Sequence, residues 1–263
     1  MFTRSEISTL VIAILVVGLA FGFDDGRDVF EWSSWLGNLV TVIFLVAIAL
    51  TVQQLGHKIV ARLHGFEAVF SLWGVQQFRF APAHLMGRVR SKPFPRRVTF
   101  FGKSYLIESF PIGIALSLLV MILSAGKWFF VAVGQYTLLI QRSARFGRRF
   151  IEVTNYEEAK IALAGPMANI ILMTLAAFVN QYGLFDKFIA INGWLALFHM
   201  LPVSQLAGTK VYFGSRLLYV SSLAFMIAMF ILVFYLSVIP LLVISLLSVL
   251  VIGSLYYYYT YFQ

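Results

Sequence analysis

The chain contains no cysteine, which excludes disulfides and thiolate metal sites. It is also poor in charge. Only 12% of its residues are Asp, Glu, Lys or Arg, where roughly 25% is usual for a soluble domain. Carboxylates are scarcest, at 11 against 20 Lys and Arg. The apolar runs carry very few ionisable residues, which disfavours a transporter or channel, whose pathway such groups would mark. No internal repeat and no disordered linker is evident. The first apolar run is not followed by a small-residue cleavage pattern, so it reads as an uncleaved first span and not as a signal peptide.

What fills the chain is apolar residue: 60% of the total, with a mean hydropathy of +0.88. Several runs reach or approach the ~20 residues that cross a bilayer. The fold class expected is an all-α polytopic membrane protein, one integral membrane domain over 1–263. Residues 1–34 supply a first span and an acidic loop, and 35–263 supply the core. Six spans are expected: Ile7–Phe23, Trp35–Ile59, Ala159–Asn180, Lys187–Leu201, Leu217–Leu236 and Leu241–Tyr259. The last two are divided near Ser237–Pro240, because proline lacks a donor and disfavours a straight helix. The closing YYYYTYF suits an aromatic interfacial belt.

Charge sets the orientation. Asp24, Asp25, Asp28 and Glu31 lie after the first span. Lys58, Arg62, Arg79, Arg88, Arg90, Lys92, Arg96, Arg97 and Lys103 follow the second. The positive-inside rule places the basic side and both termini in the cytoplasm, with the protein in the cell membrane. The net charge of +9 is then read as contact with anionic headgroups and not with nucleic acid. Between the second and third spans, FEAVFSLWGVQQFRF (66–80) reads as a strand hairpin around Gly74. Ser109–Leu123 is helical in character, and WFFVAVGQYTLLI returns as a strand-like run. Arg142, Arg145, Arg148 and Arg149 follow. A small β-rich, partly re-entrant insertion keeps both basic loops on one side, provided its backbone is buried in protein.

The chemistry is concentrated in TVQQLGHKIVARLHG (51–65). It has the cadence of H-E-x-x-H, in which two His four residues apart share a helix face and bind one zinc while the Glu takes a proton from zinc-bound water. Here the first His and the Glu are replaced by Gln53 and Gln54, and His57 remains. With IALAGPMANIIL and NGWLALFHMLPVSQLAGTK in order behind it, the chain resembles the site-2 protease family of intramembrane zinc metalloproteases, in its archaeal-type form. The resemblance runs from about Trp35 to the C-terminus.

It implies residue roles. The first zinc-ligand His falls on Gln53, the catalytic Glu on Gln54, the second His on His57, and the Asp of L-D-G on Ala207. Gly165, Pro166 and Asn169 match A-G-P-x-x-N. His199 stands where the family has Asn, shortly before Pro202. The catalytic positions are therefore vestigial. Asn169, His199, Pro202, Gly165 and Pro166 would line a groove for a substrate or partner segment. No cofactor is expected.

The reading is a pseudoprotease: a membrane binding or scaffold protein that holds transmembrane or extended segments of partners, in contact with lipid, and compatible with an oligomer. The alternative is an active zinc metalloprotease with an atypical site using His57 and His199, or an inactivated copy of one, since Glu-to-Gln and Asp-to-Ala are also deliberate inactivating changes. A polar cluster of Gln53, Gln54, His57 and His199, hydrogen-bonding one another inside the bundle, is the plainer reading of the same residues. AGPMAN serves equally as a close-packing surface. His64 reads as interfacial and His84 as a loop residue. The edge of a strand in Phe66–Phe80 offers a place for an extended peptide, and the basic run RVRSKPFPRR a headgroup-facing loop or a dock for an acidic partner.

Overall fold

The structure is a computed structural model that describes residues 2–74, 96–100, 103–107, 109–140, 153–180 and 182–261. Eight helices occur among the described residues: α1 (Arg4–Gly22), α2 (Trp32–Leu63), α3 (Ile112–Leu123), α4 (Asn155–Val179), α5 (Asp186–His199), α6 (Ala207–Gly214), α7 (Arg216–Leu232) and α8 (Val238–Tyr261). Four strands accompany them: β1 (Phe66–Leu72), β2 (Arg96–Phe100), β3 (Lys103–Ile107) and β4 (Gly134–Ile140). Four helices, α1, α2, α4 and α8, are long and apolar enough to cross a membrane by length and composition. The expected fourth and fifth spans are α5 and α7, of 14 and 17 residues, shorter than the ~20 of a full crossing.

Local chemistry explains most boundaries. Thr3 and Glu6 form a capping box at the start of α1, and Thr154 and Glu157 form another at α4. Each satisfies two orphan backbone donors reciprocally, so both helices begin about a turn before their apolar runs. The break expected near Ser237 is present as residues 233–237. Pro240 falls in the first turn of α8, where a missing N–H goes unnoticed. Leu217 and Ser221 early in α7 lie against Gly253 and Tyr257 late in α8, so the two helices form an antiparallel hairpin.

Helix α4 is central and packs on α2, α5 and α6. Gly56 makes the α2 contact possible: a Cβ there would stand 2.7 Å from the Ala164 carbonyl oxygen and 3.0 Å from the Ala168 methyl. Contacts descend α4 as they advance along α2, so these helices run antiparallel.

The first arm of the hairpin expected over 66–80 is present as β1. β1 pairs antiparallel with the distant β4, Phe66 opposite Ile140 and Leu72 opposite Gly134. The second arm of the expected hairpin lies outside the described residues. Gly74 is required by close approach, because a side chain there would collide with Ser109. β2 and β3 form their own antiparallel hairpin in a stretch read as a basic loop. α3 leads away from Trp73 and ends at Leu123, and Gly126 just after it, with a φ of +83°, turns the chain beside Phe23 and Asp24. Residues 129–133 return alongside, with Val131, Ala132 and Val133 buried.

A second correction concerns Lys58, assigned above to the basic loop. It lies in α2, buried, with its ammonium 2.7 Å from Glu6 and 2.8 Å from the Ala68 carbonyl. The Glu6 carboxylate also accepts from Phe70 N–H at 3.0 Å. The pair joins α1, α2 and the outer edge of β1. The cluster Arg79, Arg88, Arg90 and Lys92, with Arg142, Arg145, Arg148 and Arg149, lies outside the described residues, as does His84.

Candidate functional site

α2 carries the opening motif into the interior. Gln53, Gln54 and His57 are all buried, although they neighbour a helix face that exposes Leu55 and Ile59. The His57 ring lies flat on Gly165 of α4, so close that any Cβ at that position would overlap it. Its Nδ1 donates to the Ile161 carbonyl at 2.8 Å. A carbonyl can only accept, so Nδ1 holds the proton and Nε2 carries a lone pair. The ring also lies against Tyr136 of β4, with centroids 4.5 Å apart and the planes tilted by 31°. Lys210 of α6 covers the same tyrosine at 3.8 Å, donates to its carbonyl and pairs with Glu158 at 3.1 Å. Burial draws the Lys210 ammonium below its usual range while Glu158 opposes that. Lys210 is thus part of the wall behind His57. Ala207, three residues earlier, shares its face of α6 and is buried.

Asn169 stands one turn beyond Gly165 on α4, and Gln53 one turn before His57 on α2. Because the helices are antiparallel, the two carboxamides come to the same level. Both residues are fully buried, at 0% exposure, and all four of their polar atoms lack a hydrogen-bond partner. His199 ends α5, also buried, its Nδ1 donating to Leu195 at 2.9 Å and its Nε2 unpartnered. It lies within electrostatic range of His57. Asn192, two turns earlier on the same face of α5, has an unpartnered Oδ1. The expectation that Gln53, Gln54, His57 and His199 bond to one another is therefore not met: no hydrogen bond joins any two of them. Pro202 stands apart, exposed on the α5–α6 connection.

This arrangement can accept or donate hydrogen bonds. The two imidazoles have the tautomer a metal would use, with Nδ1–H fixed by backbone carbonyls. Yet Ala207 contributes no donor atom, and among the described residues no three His, Asp or Glu converge. Two neutral imidazoles and two carboxamides do not make the three-ligand set of a catalytic zinc site, and Gln54 cannot serve as a base. Asn192 and Lys210 were missed from sequence. Asn192 sits seven residues before His199, a spacing that places both on one face, and that was the available signal. Pro166, inside α4, leaves the Ala162 carbonyl without its helical donor and loosens the helix beside the site.

No family model, curated protein or solved structure matches this chain.

Proposed function

We propose that this protein is a catalytically inactive relative of the site-2 proteases that binds transmembrane or extended segments of membrane proteins. One observation carries the reading. Gln53 and Asn169 present four buried polar atoms without partners, beside two histidines and without the carboxylates that zinc hydrolysis needs. Buried polar groups are costly unless bonded, and a polypeptide backbone supplies donors and acceptors in the spacing that carboxamides accept. The exposed faces of the four apolar helices suit a cell-membrane protein with a membrane-protein partner.

Under this reading α5 and α7 are the fourth and fifth of six crossings, and both termini are cytoplasmic. α3 and the return through 129–133 form a re-entrant pair. The burial of Val131, Ala132 and Val133 supports re-entry, since extended backbone at membrane depth must be shielded by protein.

The test has two arms. The protein purified in mild detergent without chelator should hold less than about a tenth of an equivalent of zinc and leave a transmembrane peptide uncut. A photocrosslinker at Leu206, buried beside the α5–α6 corner, should capture a helix-destabilised transmembrane peptide, and Asn169→Leu should reduce capture at least fivefold. Near-stoichiometric zinc, lost on His57→Ala, would overturn the assignment in favour of an atypical protease.

A further inference from the structure

A second site lies at the opposite end of the bundle from His57. The ends of α1 and α3 and the beginnings of α2 and α5 line an open cleft of about 360 Å³, within the roughly 300–1,000 Å³ of small-molecule sites. Its rim carries charges of both signs: Asp24 and Asp25 after α1, Lys127 after α3 and Lys187 on α5. Its floor is apolar and aromatic, with Phe129 and Trp194 in edge contact at 5.4 Å.

The charges do not neutralise one another. Asp24 accepts from Gly26 N–H at 2.8 Å and Asp25 from Arg27 N–H at 3.2 Å, both local backbone bonds. The second oxygen of Asp25 is buried and has no hydrogen-bond partner. Lys187 donates to the neutral Asn38 side chain at 2.6 Å. Among the described residues neither lysine is paired with a carboxylate. Carboxylates and ammoniums set around one opening complement a ligand whose own opposite charges are held apart. A buried carboxylate oxygen seeks an N–H donor, which a primary ammonium has and a quaternary one lacks.

We infer that this cleft binds the zwitterionic headgroup of a primary-amine phospholipid. The ammonium bonds to Asp25, the phosphate lies between Lys127 and Lys187, and the glycerol rests on Phe129 and Trp194. A lipid is favoured over a free zwitterion because Trp128, next to Lys127 in the chain, and Val29 and Phe30, in the loop that carries Asp25, are exposed, and such residues suit a membrane interface. The inference rests on membrane insertion alone and is independent of what the Gln53–Asn169 site does.

Native mass spectrometry of the delipidated full-length protein, with phosphatidylethanolamine, phosphatidylcholine or phosphatidylglycerol added back, tests it. Phosphatidylethanolamine should be retained at least fivefold over each of the others. Asp25→Asn should abolish that preference and leave phosphatidylglycerol retention unchanged, whereas Lys187→Met should lower retention of both phosphatidylethanolamine and phosphatidylglycerol. Equal retention of the three lipids by the wild type would overturn the inference, and needs no variant to fold. So would an Asp25→Asn protein, folded by its melting profile, that keeps the preference. Soluble glycerophosphoethanolamine should compete only weakly; saturation at micromolar concentration would overturn the lipid assignment in favour of a free zwitterion.

Discussion

Replacing Gln53 with leucine should make this protein more stable. Gln53 is fully buried in α2, and neither its carbonyl oxygen nor its amide nitrogen has a partner. A buried unsatisfied group costs about 1–3 kcal/mol, and leucine fills nearly the same volume without needing one. Gln53→Leu should therefore gain about 1–3 kcal/mol. Gln53→Ala removes the same orphans but opens a cavity, and large-to-small changes cost about 2–5 kcal/mol. The alanine variant should thus fall below the leucine variant, by about the cavity cost. Unfolding in mixed detergent–SDS micelles, followed by Trp fluorescence, reads both. The same leucine variant should lose capture of a transmembrane peptide, because stability is gained at the groups proposed to bind it. A leucine variant less stable than wild type by 1 kcal/mol or more would refute the argument: the carboxamide would then have native partners, ordered water among them, and would not be held open for a ligand.

Three further outcomes are expected. Gly165→Val drives two methyls into the His57 ring, so it should cost more than the ~1–3 kcal/mol of ordinary overpacking, and adding His57→Ala should recover part of the loss in the same unfolding assay. Lys58→Met strands the Glu6 carboxylate in the interior and should cost about 3–5 kcal/mol, with little dependence on salt because the pair is shielded; a cost under 1 kcal/mol would mean that Glu6 is solvated. Arg27→Ala, which breaks the exposed pair with Glu31 at 3.3 Å, should move stability by less than about 1 kcal/mol, and serves as the control for Lys58.

The helices were legible because hydrophobic run length is a strong signal and caps are local. Thr3–Glu6 and Thr154–Glu157 extend their helices by chemistry visible in four consecutive letters. The partner of β1 was not legible. Its pairing with β4 joins residues about 70 positions apart, and alternation within Phe66–Leu72 identifies a strand without naming its neighbour. The β2–β3 hairpin was obscured by Arg96, Arg97 and Lys103, whose charge outweighed the β-branched and aromatic residues around Gly102. α6 is eight residues long, too short for periodicity to distinguish it from a loop. At the candidate site Gln53, Gln54, His57, Asn169 and His199 are buried and Pro202 is exposed; the amides and imidazoles were expected to bond with one another, whereas both imidazoles bond to backbone carbonyls. A hydrogen bond from a histidine to a carbonyl 104 residues away, as between His57 and Ile161, leaves no trace in local pattern.

The Glu6–Lys58 pair has a consequence for the order of assembly. Lys58 is made 52 residues after Glu6, and at about 5–20 residues per second the carboxylate waits roughly 3–10 s for its counter-charge. Until α2 arrives, Glu6 has only the Thr3 amide for company, so it favours the aqueous edge and holds the start of α1 there. When Lys58 emerges, cancelling the charge lets the edge of α1 move inward, and Phe70 and Ala68 then close the joint. α1 thus locks in place only once β1 has been made, so the first helix of the chain waits for the second helix and the first strand.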